Sequence, residues 1–179
     1  MSKLSGNMIL VRDLLKEYDA NAYRLLLLST YYRSPISYTP KSMNYFETEY
    51  DKILRVKKQL FLELDLHNGF GDNEPDKELV LELEVAMNND FNTPNVITGI
   101  QKLVKKANVA LRGNENVENL SSLYNTLDIY LSVLGLDINL KRLGSNDKET
   151  YLSWQDARKN KDYDKADEYR KLLVEKGII

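Results

Sequence analysis

The chain has 179 residues, 29% of them charged and 42% hydrophobic, with a formal net charge of −2. That length holds one medium domain, or one domain with a small appendage, and a slightly negative balance excludes a generic nucleic-acid glue. Without a single Cys the chain can build neither a disulfide nor a thiolate zinc site; this fits a reducing, cytoplasmic setting. No apolar run nears the roughly 20 residues a membrane span needs, so no membrane contact is expected.

Met1 to Asn7, "MSKLSGN", reads as a polar loop. Helical pattern continues over Leu10 to Tyr18 and again over Ala20 to Thr30. In the second segment Leu25 to Leu28 is apolar on nearly every side and should be buried. Arg24 is its only charge and is expected to pair with Asp13 or Asp19. Pro35 turns the chain out of the helix.

Thr39-Pro40 is a helix start, with Thr39 as N-cap. The helix runs to about Leu66, with Met43, Phe46, Tyr50, Ile53, Leu60 and Leu64 on one stripe. Asp76 to Asn89 is helical, with Leu79, Leu83 and Ala86 or Met87 inward. Thr93 is expected to cap the next helix, Pro94 to Arg112, whose inner face is Ile97, Ile100, Val104, Ala107 and Leu111. Val117 to Leu134 comes next, closed by Gly135. No strand-like alternation is long enough to matter.

Asp137 to Asp147 reads as a linker. Beyond it, Lys148 to Lys161 and Tyr163 to Glu175 make a helical hairpin with a thin core of Leu152, Ala157, Tyr163, Ala166, Tyr169, Leu172 and Leu173. Roughly thirty residues seldom fold well alone. The fold class is therefore all-α: an antiparallel bundle with a small C-terminal hairpin. Four parts are expected: 1–38, a junction segment; 39–136, the bundle; 137–147, the linker; and 148–179, the hairpin.

Residues 72–90 hold seven acids against Lys77, whereas 91–114 hold none and carry Lys102, Lys105, Lys106 and Arg112. The basic helix could face RNA. The preferred reading is that the two blocks neutralise each other across a helical hairpin. The sole Trp, Trp154, is either core or, if exposed, a stacking platform. Tyr32, Arg33 and Tyr38 form an aromatic and basic cluster. His67, the only His, is a loop residue and no metal site.

Three elements then carry a resemblance. "MSKLSGN" resembles the KMSKS signature loop of class I aminoacyl-tRNA synthetases, without its first Lys and with Leu4 and Ser5 exchanged relative to the pattern. The segment "VRDLLKEYDANAYRLLLLSTYYRSPISY" is similar to the stretch after that loop in cysteinyl-tRNA synthetases. "MNNDFNTP" is similar to the same family's Asp-Asp-Phe/Leu-Asn-Thr-Pro element, and "ARKNKDYDKADEYRKLLVEKGI" to its anticodon-binding motif. Their order and spacing make the resemblance specific over nearly the whole chain.

The resemblance implies a C-terminal region that begins within the KMSKS loop, with a bundle of the class I anticodon-binding (DALR-like) type. It implies an ATP-dependent cysteine–tRNA ligase that works through cysteinyl-adenylate. ATP and zinc would be bound mainly by a part carrying the HIGH motif, which this sequence lacks, so no cofactor is expected here and the chain alone should not activate cysteine. Ser2 and Lys3 are the KMSKS remnant, Lys3 touching ATP and favouring pyrophosphate departure; no catalytic set is complete and no metal ligand is expected. Arg158, Tyr163 and Asp167 would read the anticodon by edge hydrogen bonds and stacking, with Tyr163 where the family commonly has Trp. Arg33, Lys159, Lys161, Arg170 and Lys171 could take tRNA phosphates. The expected partner is cysteine-specific tRNA, not DNA, bound by a monomer. Two alternatives stay open: a fragment of a related class I cysteine ligase, and a non-catalytic helical interaction module.

Overall fold

A computed structural model describes residues 10–71, 73–113 and 115–179. Among them there are eight helices and no strand: α1 (Val11–Leu14), α2 (Ala20–Leu28), α3 (Pro40–Leu66), α4 (Lys77–Asn88), α5 (Thr93–Arg112), α6 (Val117–Leu134), α7 (Ser145–Lys159) and α8 (Tyr163–Glu175). The chain divides into two compact units, Met1–Asn139 and Leu140–Ile179. No helix of the described residues is long and apolar enough to cross a membrane.

Most helix starts are explained by a polar cap. Thr39 and Ser42 form a reciprocal capping box at α3, with Pro40 in the first turn. Asp76 accepts from the backbone of Glu78 and Leu79, and Asn116 from Asn119. At α5 the cap is Asn92, which accepts from the Asn95 amide. The expected cap, Thr93, lies inside the helix and donates to the Leu28 carbonyl at 2.7 Å. Gly135 ends α6 at φ 65°, in the left-handed region that glycine enters freely.

In the first unit α3 packs on α2, α5 and α6, α5 also packs on α4 and α6, and α4 touches α6. Met43, Leu60, Leu64, Ile100, Leu103, Leu127 and Tyr130 are fully buried at the crossing. The inner face of α5 is turned from the expected one. Val96, Ile100, Leu103, Ala107 and Ala110 are buried, while Ile97 and Val104 line a groove beside α3. In α2, Leu25 and Leu26 are buried but Leu27 is 44% exposed. Arg24 is exposed too, so it has no need of a buried partner. Asp19 caps α2, and Asp13 pairs with Lys16.

Gly99 sets how closely α5 and α6 approach. A Cβ there would stand 2.6 Å from Cε1 and 2.8 Å from the hydroxyl of Tyr130. That hydroxyl donates to the Leu79 carbonyl at 2.6 Å, which ties α6 to α4. Gly99→Ala is expected to lower stability by about 1–3 kcal/mol in thermal or urea unfolding, although alanine favours an isolated helix by about 1 kcal/mol.

Asp76 also pairs with Lys106 across to α5. Burial pushes its carboxyl up, but Lys106 and the Leu79 and Glu78 amides outweigh burial and leave it below its ordinary value. A carboxyl depressed in the folded state stabilises above the unfolded value, and that contribution vanishes as pH falls through the folded one. Asp76→Asn keeps the cap and removes the charge. The melting-temperature gap between wild type and Asp76→Asn should be full at pH 6 and close below about pH 4.

Candidate nucleic-acid interface

In the second unit α7 and α8 form an antiparallel pair. Tyr151, Ala157, Ala166 and Leu173 are buried between them. This differs from the expected core: Leu152, Tyr163 and Leu172 are 43%, 68% and 44% exposed, and Tyr151 takes the inner place. α7 starts at Ser145, and Leu136 and Ile138, on either side of the expected start of the linker, are buried. The α7–α8 turn needs a left-handed residue and has Lys161 there, at φ 60°. Asp162 then caps α8 through the Lys165 amide. Its side chain also pairs with the Lys165 ammonium at 3.0 Å, and this bond, with the cap, holds the Asp162 carboxyl below its usual range. Lys176, just past α8, pairs with Asp147 on α7.

The residues expected to contact the anticodon or phosphates from this hairpin are all exposed: Arg158, Lys159, Lys161, Tyr163, Asp167, Arg170 and Lys171. Asp167, Arg170 and Lys171 share an open groove of about 580 Å³ with Val174 and Glu175. Arg158, in the last turn of α7, has its guanidinium carbon 4.8 Å from the centre of the Trp154 ring, and Trp154 itself meets Tyr151 at 5.4 Å. Trp154 is half-buried, so it is neither wholly core nor a free platform.

Of the junction cluster, two members come together and one does not. Tyr31 and Tyr32 both donate to Asp90, Tyr32 at 2.9 Å. Arg33 donates to the Tyr32 hydroxyl at 2.7 Å and lies 3.5 Å from Asp90. Tyr38 sits elsewhere, beside Tyr18 and Glu17. Asp90 and Phe91 take φ of 53° and 55°, which a non-glycine residue adopts only at a cost, and Phe91 is 62% exposed. Nothing in the sequence links Asp90 to these tyrosines. The pairing runs across 58 positions of chain, and no local pattern encodes it.

The basic residues of α5 divide. Lys102 meets Glu82 of α4 at 2.8 Å and Lys106 meets Asp76, so these two pair with two of the acids of the acidic block across the helical hairpin. Lys105 and Arg112 instead line the α3–α5 groove with Lys52 and Glu49. His67 ends α3, 3.7 Å from Glu63. Among the described residues no group of three or more His, Cys, Asp or Glu could hold a metal ion. Ser2 and Lys3 lie outside the described residues.

The hydrogen bond to Asp90 is the main reason the Tyr31 phenol is pushed up to about 12, with burial and the Asp90 charge adding to it. A raised phenol stabilises the fold below the unfolded value of about 10 and loses that contribution as pH rises through the folded one. Asp90→Asn should therefore let one more tyrosine ionise between about pH 10 and 11 in a 295 nm absorbance titration. An unchanged titration would mean that Asp90 does not hold Tyr31.

Residues 82–139 match the DALR domain family. All 179 residues align with a cysteine--tRNA ligase from Acholeplasma laidlawii at 41% identity, covering 39% of that protein. The whole chain also aligns with cysteine--tRNA ligases from Onion yellows phytoplasma, at 34% identity and 40% coverage, and Staphylococcus haemolyticus, at 32% and 40%. The chain thus spans about two-fifths of the length of the curated relatives it matches. A DALR-domain match lies inside the helical bundle, and along its full length the chain is similar to part of these cysteine--tRNA ligases.

Proposed function

We propose that this chain supplies the tRNA-binding part of a cysteine--tRNA ligase, and that cysteine activation with ATP belongs to other parts of such an enzyme. The observation that carries the proposal is the hairpin. Its matched motif leaves Arg158, Tyr163, Asp167, Arg170 and Lys171 exposed on a two-helix scaffold. Single-stranded RNA loops are read by stacking on aromatic faces and by hydrogen bonds to base edges. Arg158 offers paired N–H donors suited to a guanine edge, Tyr163 a ring for stacking, and Asp167 an acceptor for exocyclic amines. Arg170 and Lys171, beside Asp167, supply charge for the phosphate backbone, with Lys159 and Lys161 at the turn. Arg33 would add a backbone contact from the first unit, in an orientation set by Tyr32 and Asp90.

Zinc does not fit the residues present. The chain has no Cys and one His, and the described residues make no metal cluster. No chemical step is assigned through a metal. What these residues do is bind and orient RNA.

Binding should be electrostatic and selective together. The 179-residue chain, titrated with a cysteine-specific tRNA transcript and with a tRNA of different anticodon, should prefer the first. Its log affinity should fall linearly with log salt. Arg158→Ala should cost on the order of tenfold for the first tRNA, within the range of one lost bidentate base contact, and little for the second. Equal binding of both tRNAs would overturn the proposal, as would salt-independent binding, which a protein-interaction module predicts.

A further inference from the structure

We infer that Trp154 is a positioning residue for RNA recognition: its ring holds the Arg158 guanidinium in place, so that the reading surface of the hairpin is built in before RNA arrives. The inference rests on the tRNA reading above and names a residue that reading does not use.

Trp154 and Arg158 lie four residues apart on α7 and therefore on one face. The guanidinium carbon stands 4.8 Å from the ring centre, inside the range of cation–π attraction, for which Trp is the best partner. One turn earlier, Tyr151 is 8% exposed and meets the other end of the contact with ring centres 5.4 Å apart. A buried ring thus fixes a half-buried ring, which fixes an exposed cation. The need is clear from the residue itself. A free Arg side chain carries about 2 kcal/mol of rotamer entropy, and a base contact must freeze it. Contact through the π face uses none of the guanidinium's N–H donors, so the hydrogen-bonding fork stays available to a base edge. Preorganisation of this kind raises affinity by lowering the ordering cost at the moment of binding.

A double-mutant cycle on the full 179-residue chain with the cysteine-specific tRNA transcript tests this. Trp154→Leu, which keeps apolar bulk and removes the π face, should weaken binding about two- to fivefold, the range of an exposed cation–π contact. Trp154→Phe should recover most of that loss. In the Arg158→Ala background Trp154→Leu should cost nothing further, because there is no guanidinium left to hold. Trp154 is the sole Trp, so its fluorescence reports the contact directly: emission should change in Arg158→Ala without tRNA, and again when tRNA binds wild type. Equal, additive losses in both backgrounds would overturn the inference and make Trp154 merely structural. So would a Trp154→Phe variant as weak as Trp154→Leu, which also covers the case in which Trp154→Leu unfolds the hairpin. If Arg158→Ala itself leaves tRNA binding untouched, the reading of the hairpin as an anticodon binder fails first, and this inference with it.

Discussion

One buried charge holds the helical bundle to its own end. The Lys57 ammonium, 8% exposed, lies on α3 and reaches Asp128 of α6 at 2.7 Å and the Ile138 carbonyl at 3.1 Å. Its position over the Tyr124 ring, 5.8 Å away, adds a third partner. Withdrawing an ammonium from water is costly unless its donors are answered, and here the answers come from α6, which carries both Asp128 and Tyr124, and from the segment that follows it. Asn21 repeats the pattern on the other side of the tail. Its amide donates to the Tyr50 hydroxyl at 2.9 Å and to the Asp137 carbonyl at 3.1 Å. With Leu136 and Ile138 buried beside these polar anchors, residues 136–138 are a fixed edge of the first unit rather than slack chain.

The α4–α5 loop shows how strain is offset by polar contacts. Two consecutive non-glycine residues, Asp90 and Phe91, take left-handed backbone, a conformation that costs of order 1 kcal/mol or more apiece. What opposes that cost is specific. Asn92 donates through its amide to Ala86 and accepts at its side chain from Asn95. Thr93 clips the loop to the end of α2. Asp90 takes two tyrosine hydroxyls and faces a guanidinium. The loop is therefore the place where the α2 exit and the α4–α5 pair are keyed together. Replacing Asp90 by an apolar residue would leave the strain without its counterweight.

Features that depend on neighbours in sequence are legible in the chain, and features that depend on neighbours in space are not. The cap at Thr39 and the glycine stop at Gly135 belong to the chain's local grammar. The heptad-like stripe of α3 is readable because its apolar residues are large and its charges plentiful. Lys57 is not: on a helical wheel it looks like one more surface lysine, and only the arrival of Asp128 and Ile138 makes its place tolerable. Gly99 carries no apolar weight in the pattern, yet its missing side chain lets Tyr130 through. The face of α5 is misread by one position because β-branched residues occur on both sides of the true seam, and Ile97 and Val104 border a groove. Arg24 and Leu27 mislead for a related reason. A four-leucine run on a short helix is not buried all round when its main helical neighbours among the described residues are α3 and α5.

On the hairpin the misreading and the proposed function have one physical source. Apolar residues at helical spacing normally mark an interior, and Leu152, Tyr163 and Leu172 have that spacing. A two-helix unit encloses only one narrow seam, filled by Tyr151, Ala157, Ala166 and Leu173. Small residues at two of these four positions let the helices come close, which leaves little room for anything larger. Most of the other side chains are consequently exposed, with a few such as Trp154 half-buried. Such a unit gains little from burial and relies on contacts at its ends: Lys176 with Asp147 at the open end, and the Asp162 cap at the turn. The same shortage of interior would suit it to the RNA-reading role proposed above. Its helices present a ring, a guanidinium and a carboxylate without a deep core to fill, and the rigidity that recognition requires has to come from contacts along the surface, such as the Tyr151–Trp154–Arg158 stack, rather than from packing beneath it.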